Sequence, residues 1–320
     1  MTPRRGTAAA IALLGAALAA AGCGLGPGVD VGSVELTVTR EFGREPVLQR
    51  SLQAKESDTV MRATEANAEV ETRYGGGFVH SIDGTAEGEH GGDPYDWFFF
   101  VDGVESPVGA AEVDLKGGER VWWDYRDWSA TNHVPAVVGS WPAPFVDGVA
   151  GKHYPVVVDC ANAKRGSFVR LYRTKEPRAA WGAACAQVLA ALEREGAALA
   201  PGSAKSAIRV LVGPWDRLRQ DPAARLVEDG PAESGIYADF KGNDLVALDE
   251  AGNEARTLGP HAGLVAATSR YGGPPVWLVT GGTAAAVRAA AGAMDEQHLR
   301  DHYAVAIEHG HEMPLPEAGR

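Results

Sequence analysis

Aromatic side chains are concentrated in two short segments, and they are the side chains in this sequence best able to hold a ligand. Eight of them lie between positions 97 and 128: Trp97, Phe98, Phe99, Phe100, Trp122, Trp123, Tyr125 and Trp128. Successive side chains of a strand point to opposite faces of its sheet. Trp97 and Phe99 therefore share one predicted face. Phe98, Phe100 and Trp122 lie on the other.

This second aromatic face needs a cover, because large apolar patches left in water usually mark interaction surfaces. Three alternatives could cover this face: a later part of the same chain, a partner protein, or a planar or apolar ligand. In the ligand case, buried aromatic area would supply affinity at ~25 cal/mol per Å² before ordering costs, and nearby polar groups would set the orientation. The predicted ligand-binding residues are Phe98, Phe100, Trp122, Asp124, Arg126, Trp128 and His133.

Residue patterns typical of catalysis are sparse. The sequence has no G-x-S-x-G nucleophile elbow. His298 and His302 are spaced to share a helix face, but no HExxH pattern or neighbouring cysteine accompanies them, so we predict no metal site. The net charge of −12 argues against nucleic acid as a partner and against electrostatic adhesion to anionic lipid. We therefore expect a protein without enzymatic activity.

The first cysteine follows a segment typical of export signals. Arg4 and Arg5 precede an uncharged run, residues 7–22, that ends in small residues before Cys23. This layout predicts a bacterial lipoprotein signal, in which Cys23 receives lipid after cleavage, although Ala20 stands where such signals usually have Leu. An ordinary cleaved secretory signal is the alternative. Both predict an exported protein, and the first holds it at the outer face of the cell membrane.

Two cysteines remain if Cys23 is lipidated. Outside the cytoplasm a disulfide between Cys160 and Cys185 is the expected state. The alternative is a pair of buried thiols. A cysteine held in a disulfide cannot serve as a nucleophile, which again favours a protein without catalysis.

Apart from these residues, the first part of the chain reads as a small sheet with one helix. Val34, Leu36 and Val38 alternate with polar residues, as in a half-buried strand. A weaker strand at 47–53 and a helix from about 59 to 68, capped by Asp58, follow. Further strands complete the series, among them the two aromatic ones. The order of two strands, a helix and then more strands predicts a β-grasp-like domain over 34–130.

The remaining segments predict a second domain and its connections. A Gly-rich tether covers 24–33. A connector rich in proline and glycine covers 131–154, and we expect it to be ordered because Trp141, Phe145 and Tyr154 need burial. Residues 155–308 alternate strands and helices, and 309–320 predict a flexible tail. The predicted fold class is α+β, with the β-grasp-like domain followed by a mixed α/β sandwich-type domain.

Three motifs carry a family resemblance. Gly-Gly-Phe-Val with Ile-Asp-Gly at 76–84, Trp-Phe-Phe-Phe-Val-Asp-Gly at 97–103, and Gly-Gly-Glu-Arg-Val-Trp-Trp-Asp-Tyr at 117–125 resemble the C-terminal β-domain of the cobalamin carriers transcobalamin and intrinsic factor. The resemblance covers roughly residues 50–130. It implies a domain that forms one wall of a vitamin site, and it makes a corrinoid the expected ligand.

The predicted export signal and the family resemblance together predict the function. The expected protein is a cell-surface lipoprotein that binds a small ligand, such as a cobalamin-like vitamin, or assists its uptake. Bacterial relatives of this kind imply a membrane importer component as partner. Two alternatives stay open: a structural or protein-interaction module of the cell envelope, and an envelope hydrolase or transferase with its site in 155–308.

Overall fold

Two large sheets that pack against each other form the frame of the protein. The computed structural model describes residues 28–162, 167–170, 182–200, 206–270 and 272–319. The predicted export signal and Cys23 lie outside these residues. No helix in the described ranges is long and apolar enough to cross a bilayer.

Strands dominate the N-terminal half. In chain order its elements are β1 Asp30–Arg40, β2 Glu45–Lys55, α1 Val60–Glu65, β3 Val70–Arg73, β4 Phe78–Ile82, β5 Thr85–Ala86, β6 Gly88–His90, β7 Asp93–Val101, β8 Val104–Glu105 and β9 Arg120–Asp127, with 3₁₀ turns at Tyr74–Gly76 and Ala110–Glu112. The larger sheet has the order β2-β1-β9-β7-β6, and β8 pairs with β7. β1 and β9 are parallel neighbours.

Helix α1 covers one face of this sheet. Val60 and Met61 pack against the face that carries Trp123, and the indole N–H of Trp123 donates a 2.9 Å hydrogen bond to Thr64 on the helix. The predicted cap is displaced by one residue, because Thr59 accepts the backbone N–H of Arg62. Asp58 instead accepts the N–H of Lys55, which closes the turn after β2.

The second half contains a longer mixed sheet. Its elements are α2 Ala143–Val146, β10 Val156–Asn162, β11 Ser167–Arg170, α3 Ala183–Arg194, β12 Ile208–Val212, α4 Trp215–Leu218, a 3₁₀ helix Ala224–Asp229, α5 Pro231–Ser234, β13 Ala238–Lys241, β14 Asp244–Leu248, β15 Glu254–Gly259, β16 Gly263–Thr268, β17 Val276–Gly281, α6 Ala284–Gly292, α7 Glu296–Leu299, β18 Ala304–Glu308 and β19 His311–Leu315. The strand order is β11-β10-β12-β17-β16-β18-β19, and β13-β14-β15 form a separate sheet.

The long sheet is covered on both faces. α3 and α6 pack on one face. The predicted disulfide is confirmed there: Cys160 of β10 is bonded to Cys185 of α3. The opposite face packs against the β13-β14-β15 sheet and the N-terminal sheet in one apolar cluster. The chain is thus a mixed α and β structure made mostly of strands.

The connector at 131–154 is part of the core. Trp141 and Phe145 are buried, and both rings contact Trp277 of β17, with centroid distances of 5.8 and 4.9 Å. The connector is ordered because its two large aromatic side chains are buried. Its proline and glycine content alone predicts little regular structure.

Two predicted boundaries are wrong. β1 begins at Asp30, inside the predicted 24–33 tether, because residues 30–34 pair with the end of β2. The predicted flexible tail instead contains β19, which pairs with β18 through a turn at His309 and Gly310, both with positive φ. Leu315 is 1% exposed, so burial of an apolar side chain anchors this last strand.

Candidate functional site

The second aromatic face of the N-terminal sheet is covered by the later part of the same chain. Phe100 and Trp122 are 0% and 2% exposed, and both pack against Tyr303, with ring centroids 5.5 and 5.4 Å away. Their predicted role in ligand binding is therefore wrong, because no part of either ring remains for a ligand. The alternation of faces itself is confirmed, since Trp97 and Phe99 lie in the cluster under α1.

Asp124 is the hub of this covered face. Its fully buried carboxylate accepts hydrogen bonds from the Thr39 hydroxyl at 2.6 Å, the Gly43 backbone N–H at 3.1 Å and the Tyr303 hydroxyl at 3.0 Å. The Thr39 hydroxyl in turn accepts from the indole of Trp122 at 2.8 Å. Burial raises the pKa of Asp124 to about 6, although these hydrogen bonds oppose the rise. The predicted ligand-orienting carboxylate thus joins the two sheets instead.

The conformation of the turn between β1 and β2 brings the backbone N–H of Gly43 to the Asp124 carboxylate. Glu41, Phe42 and Gly43 are consecutive residues with positive φ, at 57°, 59° and 85°. Phe42 is buried between Tyr237 and Tyr303, with ring centroids 5.2 and 5.1 Å away. A Cβ on Gly43 would lie 1.8 Å from the backbone oxygen of Asp301. Only glycine allows both this backbone conformation and this close approach.

Arg126 is also buried rather than presented to solvent. Its guanidinium lies 3.8 Å from the ring centroid of the half-buried Phe98, and Nη1 donates to the carbonyl of Thr131 at 2.9 Å. Nε and Nη2 have no hydrogen-bond partner among the described residues. Burial works against the charge, but interactions led by Tyr303, Tyr237 and Glu105 outweigh it and raise the pKa of Arg126.

Glu105 links this buried arginine to the surface, and sequence reasoning missed it. Its carboxylate lies 4.0 Å from Nη2 of Arg126, accepts the backbone N–H of Val134, and contacts Nδ1 of the exposed His133 at 3.2 Å. The hydrogen bond that the Glu105 carboxylate accepts from His133 raises the pKa of this histidine. No motif marks Glu105, because its neighbours come from β9 and from the loop after it.

Two of the predicted ligand-binding residues do reach the surface. Trp128 is 38% exposed, directly after β9, and its backbone N–H donates to the carbonyl of Pro94 at 3.0 Å. His133 is exposed five residues later. The structure therefore divides the predicted set into buried residues at the contact between the two sheets, the half-buried Phe98 beside Arg126, and the exposed Trp128 and His133 after β9.

An aromatic cluster lies at the same end of the N-terminal sheet. We call His90, Tyr95 and Tyr125 the aromatic shelf. The centroid distances are 5.1 Å for His90–Tyr95, 5.9 Å for His90–Tyr125 and 5.4 Å for Tyr95–Tyr125. The Tyr125 hydroxyl donates to the carbonyl of Ala86 and lies 2.8 Å from Nε2 of His90. His90 is exposed, Tyr95 is half-buried and Tyr125 is buried.

Metal-binding chemistry finds no support in the described residues, where no group of three or more His, Cys, Asp or Glu side chains is placed to hold an ion. His298 contacts Asp295 at 2.7 Å. His302 lies in a largely buried position that lowers its pKa. The two predicted helix-face histidines thus have separate surroundings.

A family model described as a domain of unknown function (DUF4430) matches residues 57–127, from the turn before α1 to the end of β9. No curated protein matches the chain. A crystal structure from Ruminococcus gnavus ATCC 29149, described as a candidate metal-binding protein, aligns at 12% identity over 30% of this chain and 97% of its own, with a TM-score of 0.23. A likeness of that size supports no conclusion about this chain.

Substitution of Gly43 tests the close approach of the two sheets. We expect Gly43→Ala to lower the free energy of unfolding by more than 3 kcal/mol, on the order of the largest single-site effects, because the new Cβ meets the Asp301 backbone. The matched control is Gly84→Ala, where φ is 76° and a Cβ would meet nothing; strain alone should cost about 1 kcal/mol there. If urea unfolding shows that the two variants lose the same free energy of unfolding, a Cβ at position 43 does not collide with the Asp301 backbone.

The buried carboxyl of Asp124 predicts the pH dependence of stability. Its pKa is about 6 in the folded protein and about 3.9 in an unfolded chain, so between these values the folded state binds more protons. Stability should therefore fall as pH rises from 4 to 6, by up to about 3 kcal/mol from this group. Asp96 and Asp102, whose pKa values burial also raises, act in the same direction. Urea unfolding at several pH values should show a smaller slope for Asp124→Asn, and an unchanged slope would refute the assignment.

Proposed function

We propose that this protein is an exported, lipid-anchored protein of the cell envelope that binds a small ligand without converting it. The observation that carries the proposal is the change in exposure just after β9. Residues 121–127 of the strand are buried, whereas Trp128 after the strand and His90 of the aromatic shelf lie at the surface. A rigid frame with exposed aromatic side chains at one edge is suited to binding.

We also propose that residues 30–127 are β-grasp-like and related to the C-terminal β-domain of transcobalamin and intrinsic factor. The parallel pairing of β1 with β9, and α1 across one face, support a β-grasp arrangement. Under this proposal a cobalamin-like vitamin is the first ligand to test, and a membrane importer component is the partner. The ligand would meet the end of β9, because the second sheet covers Phe100 and Trp122.

A second candidate function is a protein-interaction or structural module of the envelope. Ion pairs that join the two halves favour it. Arg120 of β9 contacts Glu35 of β1 at 3.2 Å and Glu296 of α7 at 2.9 Å, and Arg300 contacts the same two glutamates. Such a network holds the halves as one unit, which a module that only positions other proteins requires.

Lipid anchoring is tested by substitution of Cys23. Expressed with its own signal in a bacterial host that lipidates exported proteins, the protein should fractionate with membranes and incorporate a labelled fatty acid. Cys23→Ser should lose the label and leave the membrane fraction. The matched control Cys185→Ala removes a different cysteine and should keep both properties. A membrane-bound, labelled Cys23→Ser variant would refute the anchor.

Ligand binding is tested by titrating the purified exported domain with cobalamin while following tryptophan fluorescence, corrected for the absorbance of the vitamin. We expect a saturable change that loses at least half of its amplitude in Trp128→Phe. Trp215→Phe is the control, because Trp215 is fully buried in the second half. If cobalamin produces no saturable change, the vitamin proposal fails and the protein-interaction candidate takes its place.

A further inference from the structure

We infer that the aromatic shelf binds a small organic cation, such as a primary or quaternary ammonium group. This inference rests on the proposed ligand-binding function and adds the chemical class of the ligand and the residues that would select it. It uses side chains at the exposed end of the N-terminal sheet, which are separate from the predicted aromatic face that the second sheet covers.

The first part of the argument is the aromatic surface. His90 and Tyr95 lie next to each other with centroids 5.1 Å apart and a steep interplanar angle of 88°. Tyr125 packs beneath both. Its hydroxyl already donates to Ala86, which fixes the cluster to the strand behind it. A cation over the face of a tyrosine is attracted by the ring quadrupole.

The second part is the charge around Tyr95. Burial comes first among the causes that raise the pKa of its hydroxyl to about 12, and the carboxylates of Glu41, Asp127 and Asp93 follow. Arg44 acts in the opposite direction on this hydroxyl, and Arg40 does so on the hydroxyl of Tyr125. Two carboxylates are also placed beside the rings by strand pairing, because Asp127 stands opposite Tyr95 on β9 and Asp93 stands opposite His90 on β7. Negative charge beside an aromatic ring attracts cations.

Arg44 neutralises this surface only in part, because its guanidinium is shared among Glu41, Glu250 and the carbonyl of Pro316. It forms an ion pair with Glu250 of the second half and donates to the carbonyl of Pro316 at 3.2 Å. Glu41 lies 3.7 Å from it. Burial nevertheless raises the pKa of Glu41, and Glu45 and Asp127 add to the rise. A half-buried carboxylate with this surplus of negative charge is stabilised by an added cation.

Other ligand classes fit the shelf less well. An anion would meet the carboxylates of Glu41, Asp93 and Asp127. A divalent metal needs several converging oxygen or nitrogen ligands, and the described residues hold no such group. An uncharged apolar ligand would gain nothing from the carboxylates. An ammonium group attached to a small organic body uses both the rings and the charge.

The experiment compares choline with its uncharged isostere 3,3-dimethylbutan-1-ol, in which carbon replaces the quaternary nitrogen. Binding to the purified exported domain is followed by tryptophan fluorescence and by calorimetry at low salt. We expect saturable binding of choline and at least tenfold weaker binding of the isostere. Added salt should weaken the binding of choline, because Asp93 is exposed and Glu41 is only half-buried.

Variants locate the site. Tyr95→Leu keeps an apolar side chain but removes the ring, and it should weaken choline binding at least tenfold. Asp93→Asn, which removes one charge from the rim, should weaken it severalfold. The matched control is Tyr74→Leu, because Tyr74 is 88% exposed in the turn between β3 and β4; it should bind as the unmodified protein does. Circular dichroism verifies that each variant is folded.

Each outcome is decisive. Equal affinity for choline and its isostere, or no saturable binding of choline, would overturn the inference, and so would a folded Tyr95→Leu variant that binds normally. Failure here is distinguishable from failure of the proposed function. A cobalamin titration that saturates while choline does not bind would retain a ligand-binding protein whose ligand is not selected by charge at the shelf.

Discussion

The arrangement of the two sheets depends on the hydrogen bonds that the buried carboxylate of Asp124 accepts. This carboxylate lies on β9 with no exposure to solvent and accepts from Thr39 of β1, from Gly43 in the turn after β1 and from Tyr303 before β18. A buried carboxylate without such donors would cost far more than it contributes. Each donor therefore has to stay in place, and together they fix the turn, both sheets and the register between them.

The aromatic rings owe their surroundings to this contact. A strand with bulky apolar side chains on both faces has to be covered twice. α1 covers the face of Trp123, and the second half covers the face of Trp122. Once Tyr303 is held by Asp124, its ring meets Phe100 and Trp122 and closes the second face. What remains open is the segment just after β9, where strand pairing stops and Trp128 is 38% exposed.

The charged side chains also differ between the interface of the two sheets and the exposed end of the N-terminal sheet. Inside the interface, the positive Arg126 is surrounded by tyrosines and by the carboxylates of Glu105 and Asp124. At the exposed end, Asp127 stands opposite Tyr95 and Asp93 stands opposite His90. The interior thus balances its charge within the chain, whereas the edge of the sheet keeps negative charge that a ligand can meet.

The sequence by itself determined local properties: the strand alternation that separates Trp97 from Phe98, the α+β character, the helix over 60–65 within the predicted 59–68, and the pairing of two of the three cysteines. Such features depend on neighbours a few residues apart or on residue counts. Only the tertiary structure decided that Phe100 and Trp122 are packing residues, that Glu105 joins Arg126 to His133, and that the last residues form a strand. Those outcomes depend on contacts between residues as far apart as 124 and 303, and no pattern within a single segment encodes which distant surface will cover it.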